Sequence, residues 1–447
     1  MKLKWLFPFG ILVAIGILGL FNNPISEASK TESLPSVPGD VAWMITASGL
    51  VLLMTPGLSF FYGGMVRMKN VISTMLQSFI SLGVISILWV FIGFSLAFGD
   101  SIGGFIGNPF TYFMFKNVGL NTDPILSPTI PLALFALFQL KFAIITPALI
   151  TGSFAERIRF SGYLLFICLF AIVIYSPLAH WTWHPDGFLR KMGVLDFAGG
   201  TVVHMSAGLA ALAGAMVLGQ RRDHSKKIMH KPANIPFVIL GTGMLWFGWF
   251  GFNGGSALAA NETAVQAFLT TNTASAAAML TWIFIDSIKG LKVSALGACI
   301  GSVVGLVAIT PAAGFVTVGQ SIFIGIAASA LSNYMVHLKA KTQVDDTLDV
   351  FPCHGIGGMF GMVVTGIFAA NVGLVYGDTT TFLNHLLALL IVTVFAFTGS
   401  YLLFKITDMI IPIRVTENQE IIGLDISQHG ESTYYPEEFK LTEISSK

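Results

Sequence analysis

Two histidines lie in stretches where an ionisable side chain is costly. His204 sits in Gly199-Gly200-Thr201-Val202-Val203-His204-Met205-Ser206-Ala207-Gly208, and His354 in Asp349-Val350-Phe351-Pro352-Cys353-His354-Gly355. An imidazole in apolar surroundings needs a partner, and an ionisable group there is by default a candidate for function. If the two rings face each other, one ring nitrogen donates and the other accepts, so the pair shares a proton. It also resists a second charge, because like charges repel strongly in a low dielectric. Two separate core histidines, each bonded to a backbone carbonyl, remain the alternative. Asp196 precedes His204 by eight residues, within about 80° on a helical wheel. Its carboxylate could cap a helix start by accepting backbone N–H groups. It could also stabilise a cation, and neither use excludes the other.

Aromatic residues form a second constellation. Phe138 and Phe142 are four residues apart and share a helix face; Trp249, Phe252 and Ser256 have spacings of three and four. Trp181 and Trp183 follow another apolar run. Rings and a hydroxyl at a mouth could hold a small cation by ring quadrupoles and one acceptor. Interfacial tryptophans and packed phenylalanines are the competing reading. Lys141, directly before Phe142, needs a partner, a wet cavity or a route for its stem to carry the amine out.

These residues must be positioned by membrane elements. The 447 residues include 24 basic and 23 acidic ones, 11% charged, with 54% hydrophobic residues and 38 Phe. An ordinary soluble domain has roughly 25% charged residues, and no soluble interior of this size would cover so much apolar surface. A net charge of +1 leaves no footprint for nucleic acid. Cys168, Cys299 and Cys353 form no CxxC pair, which argues against a disulfide scaffold or zinc knuckle. No HExxH is present, and neighbouring Cys353 and His354 cannot share one metal on a regular helix. Neither metal, cofactor nor enzymatic chemistry is expected.

A membrane helix needs about 20 apolar residues. Eleven candidates run near 41–66, 71–97, 128–151, 162–180, 197–219, 234–253, 265–286, 293–310, 321–338, 349–370 and 382–410. None alternates like a barrel strand. Residues 1–28 read as a signal peptide, with Lys2 and Lys4 before an apolar run and Ser26-Glu27-Ala28 at the cut; an uncleaved first span is the alternative. Thirteen Lys and Arg fall in the odd-to-even connections, against Lys116, Arg190 and Lys191 in the others. The basic side is cytoplasmic, so the mature N-terminus is outside and the polar tail, 411–447, is inside. Eleven helices divide into five, five and one; an odd-numbered unit must re-enter inverted, as in many transporters. Spans five and ten agree, each starting with an Asp before a His: Asp196 with His204, and Asp349 with His354.

Several long motifs in order give a family likeness. Asp196–His204 (DFAGGTVVH), Trp249–Ser256 (WFGFNGGS), Phe142–Arg157 (FAIITPALITGSFAER), Val344–Gly355 (VDDTLDVFPCHG), Thr310–Gly314 (TPAAG) and Gly423–Tyr434 (GLDISQHGESTY) resemble the Amt ammonium transporters of the Amt/Mep/Rh family. Similarity extends over nearly everything after residue 40. The resemblance implies an all-α integral membrane protein of the cell membrane, with domain 41–410 forming a homotrimer with one pore per subunit. It implies ammonium recruitment at Trp183, Phe138 and Ser256, near Asp196. It implies a gate of Phe142 and Phe252, a paired-histidine site at His204 and His354, and Trp249 lining the pore. A PII-type signalling protein at the cytoplasmic face is the implied partner, with Gly423 and Asp425 in the segment that couples subunits. An electroneutral Rh-like gas channel and an ammonium sensor are the competing functions. Lys141, and the charged segment with His184, Pro185, Asp186, Arg190 and Lys191, depart from the family pattern.

Overall fold

The chain is described here by a computed structural model covering residues 3–21, 35–226, 228 and 231–433. The expected cut after Ala28 and the tail from 434 onwards lie outside the described residues. After an N-terminal helix, Leu3–Phe21, eleven helices carry the fold. They are α1 (Pro38–Met65), α2 (Met68–Phe98), α3 (Leu132–Phe154), α4 (160–183), α5 (Gly200–Leu218), α6 (Ile235–Gly255), α7 (Glu262–Ile288), α8 (Ala295–Ile309), α9 (Val318–Lys339), α10 (Phe351–Phe368) and α11 (Thr379–Ile410). All but α8 are long and apolar enough to cross a bilayer. At 15 residues and about 1.5 Å per residue, α8 falls short of a hydrocarbon core of about 30 Å. The result is an all-α, multi-pass membrane architecture.

Polar residues set the helix starts. Asn234, Asn261, Ser294 and Thr317 each accept a backbone N–H at the starts of α6 to α9, and Asp378 accepts two at α11. These bonds satisfy donors that a helix N-terminus leaves without partners. The third span, expected from 128, begins instead at Leu132. Residues 127–131 pair antiparallel with Thr122–Asp123, and Pro128 and Pro131 favour extended chain there over helix. α1 packs most extensively against α6, while α3 and α5 are the most buried of the long helices.

At the face holding the basic connections, the tail folds back on the body. Ile158 and Arg414 form an antiparallel bridge, followed by α12 (Glu417–Ile422) with a Thr416–Gln419 capping box. Glu420 accepts from Arg222 N–H at 2.6 Å and Arg414 Nη2 at 3.0 Å. Asp425 accepts from Ser73 N–H at 2.7 Å and Ile72 N–H at 3.1 Å. Beneath lies a buried ion cluster: Arg221 meets Glu156 Oε2 and Asp345 Oδ1, both at 2.9 Å.

Candidate functional site: an aromatic column above a histidine pair

The site runs between α3, α4, α5, α6 and α10. Phe138 and Phe142, on one face of α3, meet edge-to-face with centroids 4.9 Å apart. Phe142 also meets Trp183, at the end of α4, at 5.6 Å. Phe252 of α6 lies against Phe142 at 4.2 Å, with planes 31° apart; both rings are fully buried. Phe252 is 6.1 Å from the His204 ring, which stacks on Trp249 at 5.4 Å and 15°. The Trp249 indole N–H is fixed by Thr310 Oγ1 at 2.8 Å. Below this, His204 Nδ1 and His354 Nδ1 are 3.4 Å apart, in rings whose planes differ by 28°. The imidazoles thus face one another rather than separate carbonyls. His204 Nε2 is buried and has no hydrogen-bond partner among the described residues.

Local backbone sets both rings. Asp196 Oδ1 accepts from Gly199 N–H (2.8 Å) and Gly200 N–H (2.6 Å), and Oδ2 from Thr201 N–H (2.7 Å) and Thr201 Oγ1 (2.6 Å). Gly199 is left-handed, φ 119°, and α5 then opens with a π-type turn, Gly200–Met205, carrying His204. The helical wheel does not extend to Asp196, which lies before the helix and caps it. Its backbone carbonyl also accepts the Trp183 indole N–H at 3.1 Å, so one residue ties the top of the column to the histidine turn.

Asp349, expected at the start of the span that carries His354, is not the residue that caps it. Asp346 is the capping residue: its carboxylate accepts Val350 N–H at 3.1 Å and Phe351 N–H at 2.8 Å. Asp349 instead is the left-handed residue, φ 59°, and pairs with Lys339 at 2.5 Å. His354 follows on a π-type turn, Phe351–Gly355. Asp346 stands eight residues before His354, as Asp196 stands before His204. The signal was present in that equal spacing.

Close helix crossing brings the two turns together. A Cβ added to Gly208 would lie 2.1 Å from Gly355 N; one on Gly358 would lie 2.9 Å from His204 Cβ. Each glycine is four residues after a histidine.

The remaining expected residues are placed as follows. Ser256 Oγ donates to Phe252 O at 2.8 Å, leaving its oxygen lone pairs available as acceptors. Trp181 does not join the column: its N–H donates to Phe105 O at 2.6 Å, and its ring lies against Phe395 at 4.5 Å. Lys141 is 9% exposed and makes no hydrogen bond or ion pair among the described residues. No group of His, Cys, Asp and Glu among the described residues has a metal-holding arrangement.

Comparison with known proteins decides the family. A model of the "Ammonium Transporter Family" matches residues 42–434. The chain belongs to the ammonium transporter family. It is 44% identical over 429 residues to an ammonium transporter of Aquifex aeolicus, covering 94% of this chain and 99% of that one. The Saccharomyces cerevisiae Mep2 crystal structure superposes with a TM-score of 0.82 at 35% identity, covering 90% of this chain and 92% of that one. A structure titled "Sensor Amt Protein" gives 0.80 at 29% identity, with 88% and 98% covered. Members of this family are transporters, so the chain is not an enzyme, and the column lies within the matched region.

Proposed function

We propose that this protein takes up ammonium across the plasma membrane by stripping its proton at the aromatic column and passing ammonia and proton separately. The observation that carries the reading is the His204–His354 pair, Nδ1 to Nδ1 at 3.4 Å, beneath the closed Phe142–Phe252 stack.

Ammonium arrives at Trp183, Phe138 and Ser256, where ring faces attract the cation and the Ser256 oxygen accepts an N–H. Asp196, its oxygens engaged in the cap, contributes charge to this mouth rather than a direct ligand. Phe142 and Phe252 form the barrier, and burying an ion there costs several kcal/mol or more. Potassium cannot avoid that cost. Ammonium can, by leaving its proton and crossing as neutral ammonia past Trp249.

The orphan nitrogen gives the proton a place to go. When His204 Nδ1–H donates to His354 Nδ1, His204 Nε2, buried and without a partner among the described residues, carries a free lone pair. A proton accepted there lets the Nδ1 proton pass to His354, whose Nε2–H is released on the far side. One proton enters and one leaves, and both rings end in the opposite tautomer and must reset. Net transport is therefore electrogenic.

The same reading takes α8 as a span, giving eleven in a five-plus-five inverted repeat with α11 added; the matched Asp–His spacing of α5 and α10 supports it. The mature N-terminus is outside, residues 1–28 are a signal peptide, 41–410 is the transport domain, and 411–447 is a cytoplasmic regulatory tail. A homotrimer and a PII-type partner follow from the family likeness. Likeness to the protein titled as a sensor supports a second reading, ligand sensing with little flux.

The test replaces His204 or His354 with Ala in reconstituted protein and records ammonium-evoked current. Loss of net charge movement, or entry of potassium, is expected. Wild-type current with unchanged selectivity would remove the relay, and an inert wild-type protein would favour the sensor.

A further inference from the structure

The charged segment after Trp183 does not join the column. With the α2–α3 connection it lines an open cavity of about 560 Å³, on the face read as outer. Asp100, Asp123, Asp186, His184, Lys191 and Tyr112 are among its lining residues. Lys191 pairs with Asp186 at 2.7 Å, and Asp100 and Asp123 have no ion pair among the described residues. Among the described residues each of these carboxylates keeps one oxygen without a hydrogen bond: Asp100 Oδ2 accepts from Thr111 Oγ1 (3.1 Å), and Asp123 Oδ1 accepts from Ile125 N–H (2.9 Å) and Leu126 N–H (2.7 Å).

His184 supplies an independent observation. It is 7% exposed, and its ring stacks on His180 at 4.4 Å. Its Nδ1 accepts from Asp186 N–H at 3.0 Å, so the neutral ring carries its proton on Nε2. That Nε2–H has no partner among the described residues, although the ring lines the cavity. Two carboxylates together with one unpaired donor suit a cation that keeps part of its water: the oxygens hold the charge, and a water oxygen accepts from Nε2–H. The carboxylates form no group placed to grip a bare ion. Trp183, at the top of the column, is the residue next to His184.

We propose that this cavity is a second, low-affinity site for hydrated monovalent cations, which raises the ammonium concentration beside the Trp183 mouth. A cleft with an excess of one sign of charge and low-dielectric walls concentrates counter-ions and speeds their capture, and salt weakens the effect. The proposal rests on the transport reading above.

The experiment measures ammonium-evoked current in reconstituted full-length protein at low and high ionic strength. In the Asp100→Asn/Asp123→Asn variant, which keeps the side-chain oxygens that accept these bonds, half-saturation should rise by about threefold or more at low salt. Maximal current should be unchanged, and the difference should vanish at high salt. Lys191→Gln, at an exposed position that leaves Asp186 unpaired, should shift half-saturation the other way. If the double variant does not fold, Lys191→Gln alone decides. Unchanged half-saturation at low salt, or a loss confined to maximal current, would overturn the proposal. A wild-type protein without ammonium current would instead remove the transport reading.

Discussion

The carboxylates of Asp196 and Asp346 hold the two histidine turns by accepting buried backbone N–H groups. Removing either leaves donors buried without partners, each costing about 1–3 kcal/mol. Asp196→Ala and Asp346→Ala should therefore each lower the melting temperature of the detergent-solubilised protein by several degrees and reduce ammonium current together with it. Normal stability with current lost would instead point to a direct chemical role. At this scale the two histidines were legible, because an imidazole stands out in an apolar run. Asp346 was not, because span boundaries read from hydropathy put the nearer Asp349 at the helix start. Asp349 takes the left-handed conformation that glycine takes at 199, which no count of apolar residues reveals.

At the scale of elements, the pair depends on how closely α5 and α10 cross. Gly208 lies where a Cβ would come within 2.1 Å of the Gly355 backbone nitrogen, a clash that only movement of one helix relieves. Gly208→Ala should separate the imidazoles and cut ammonium current by more than tenfold while the protein still inserts in the membrane. Current within twofold of wild type would show that the 3.4 Å contact is not needed. Small residues were readable in the sequence as a sign of close helices, but which ones touch was not. The π-type turns also escaped, since a one-residue widening leaves the apolar pattern intact. The strand at 127–131 was absorbed into a span because Ser-Pro-Thr-Ile-Pro carries no charge to mark a boundary.

The whole molecule was the most legible level, because hydrocarbon demands long apolar helices and allows few alternatives. The ion cluster joining the loops was less so: Glu156, Arg221 and Asp345 are far apart in sequence, and its basic member read only as an orientation signal. Burial alone would raise the Asp345 carboxyl's proton affinity, but hydrogen bonds from Arg221 and the charges of Arg157 and Arg221 hold it well below the usual carboxylate range. A carboxyl depressed in the folded state adds stability above its unfolded pKa, about 3.9, and loses it as pH falls below that value. Wild-type melting temperature should drop steeply below about pH 4. Asp345→Asn should melt lower at pH 7 and show a shallower acid slope; equal slopes would place the acid-sensitive group elsewhere.

On the transport mechanism proposed above, the closed aromatic column admits only a cation able to part with its proton. Solid-supported membrane electrophysiology on the purified, reconstituted protein, with ammonium and potassium pulses compared in the same proteoliposomes, tests it most directly. A saturable current with ammonium and none with potassium is expected. A sustained, saturable potassium current through the intact protein would contradict it.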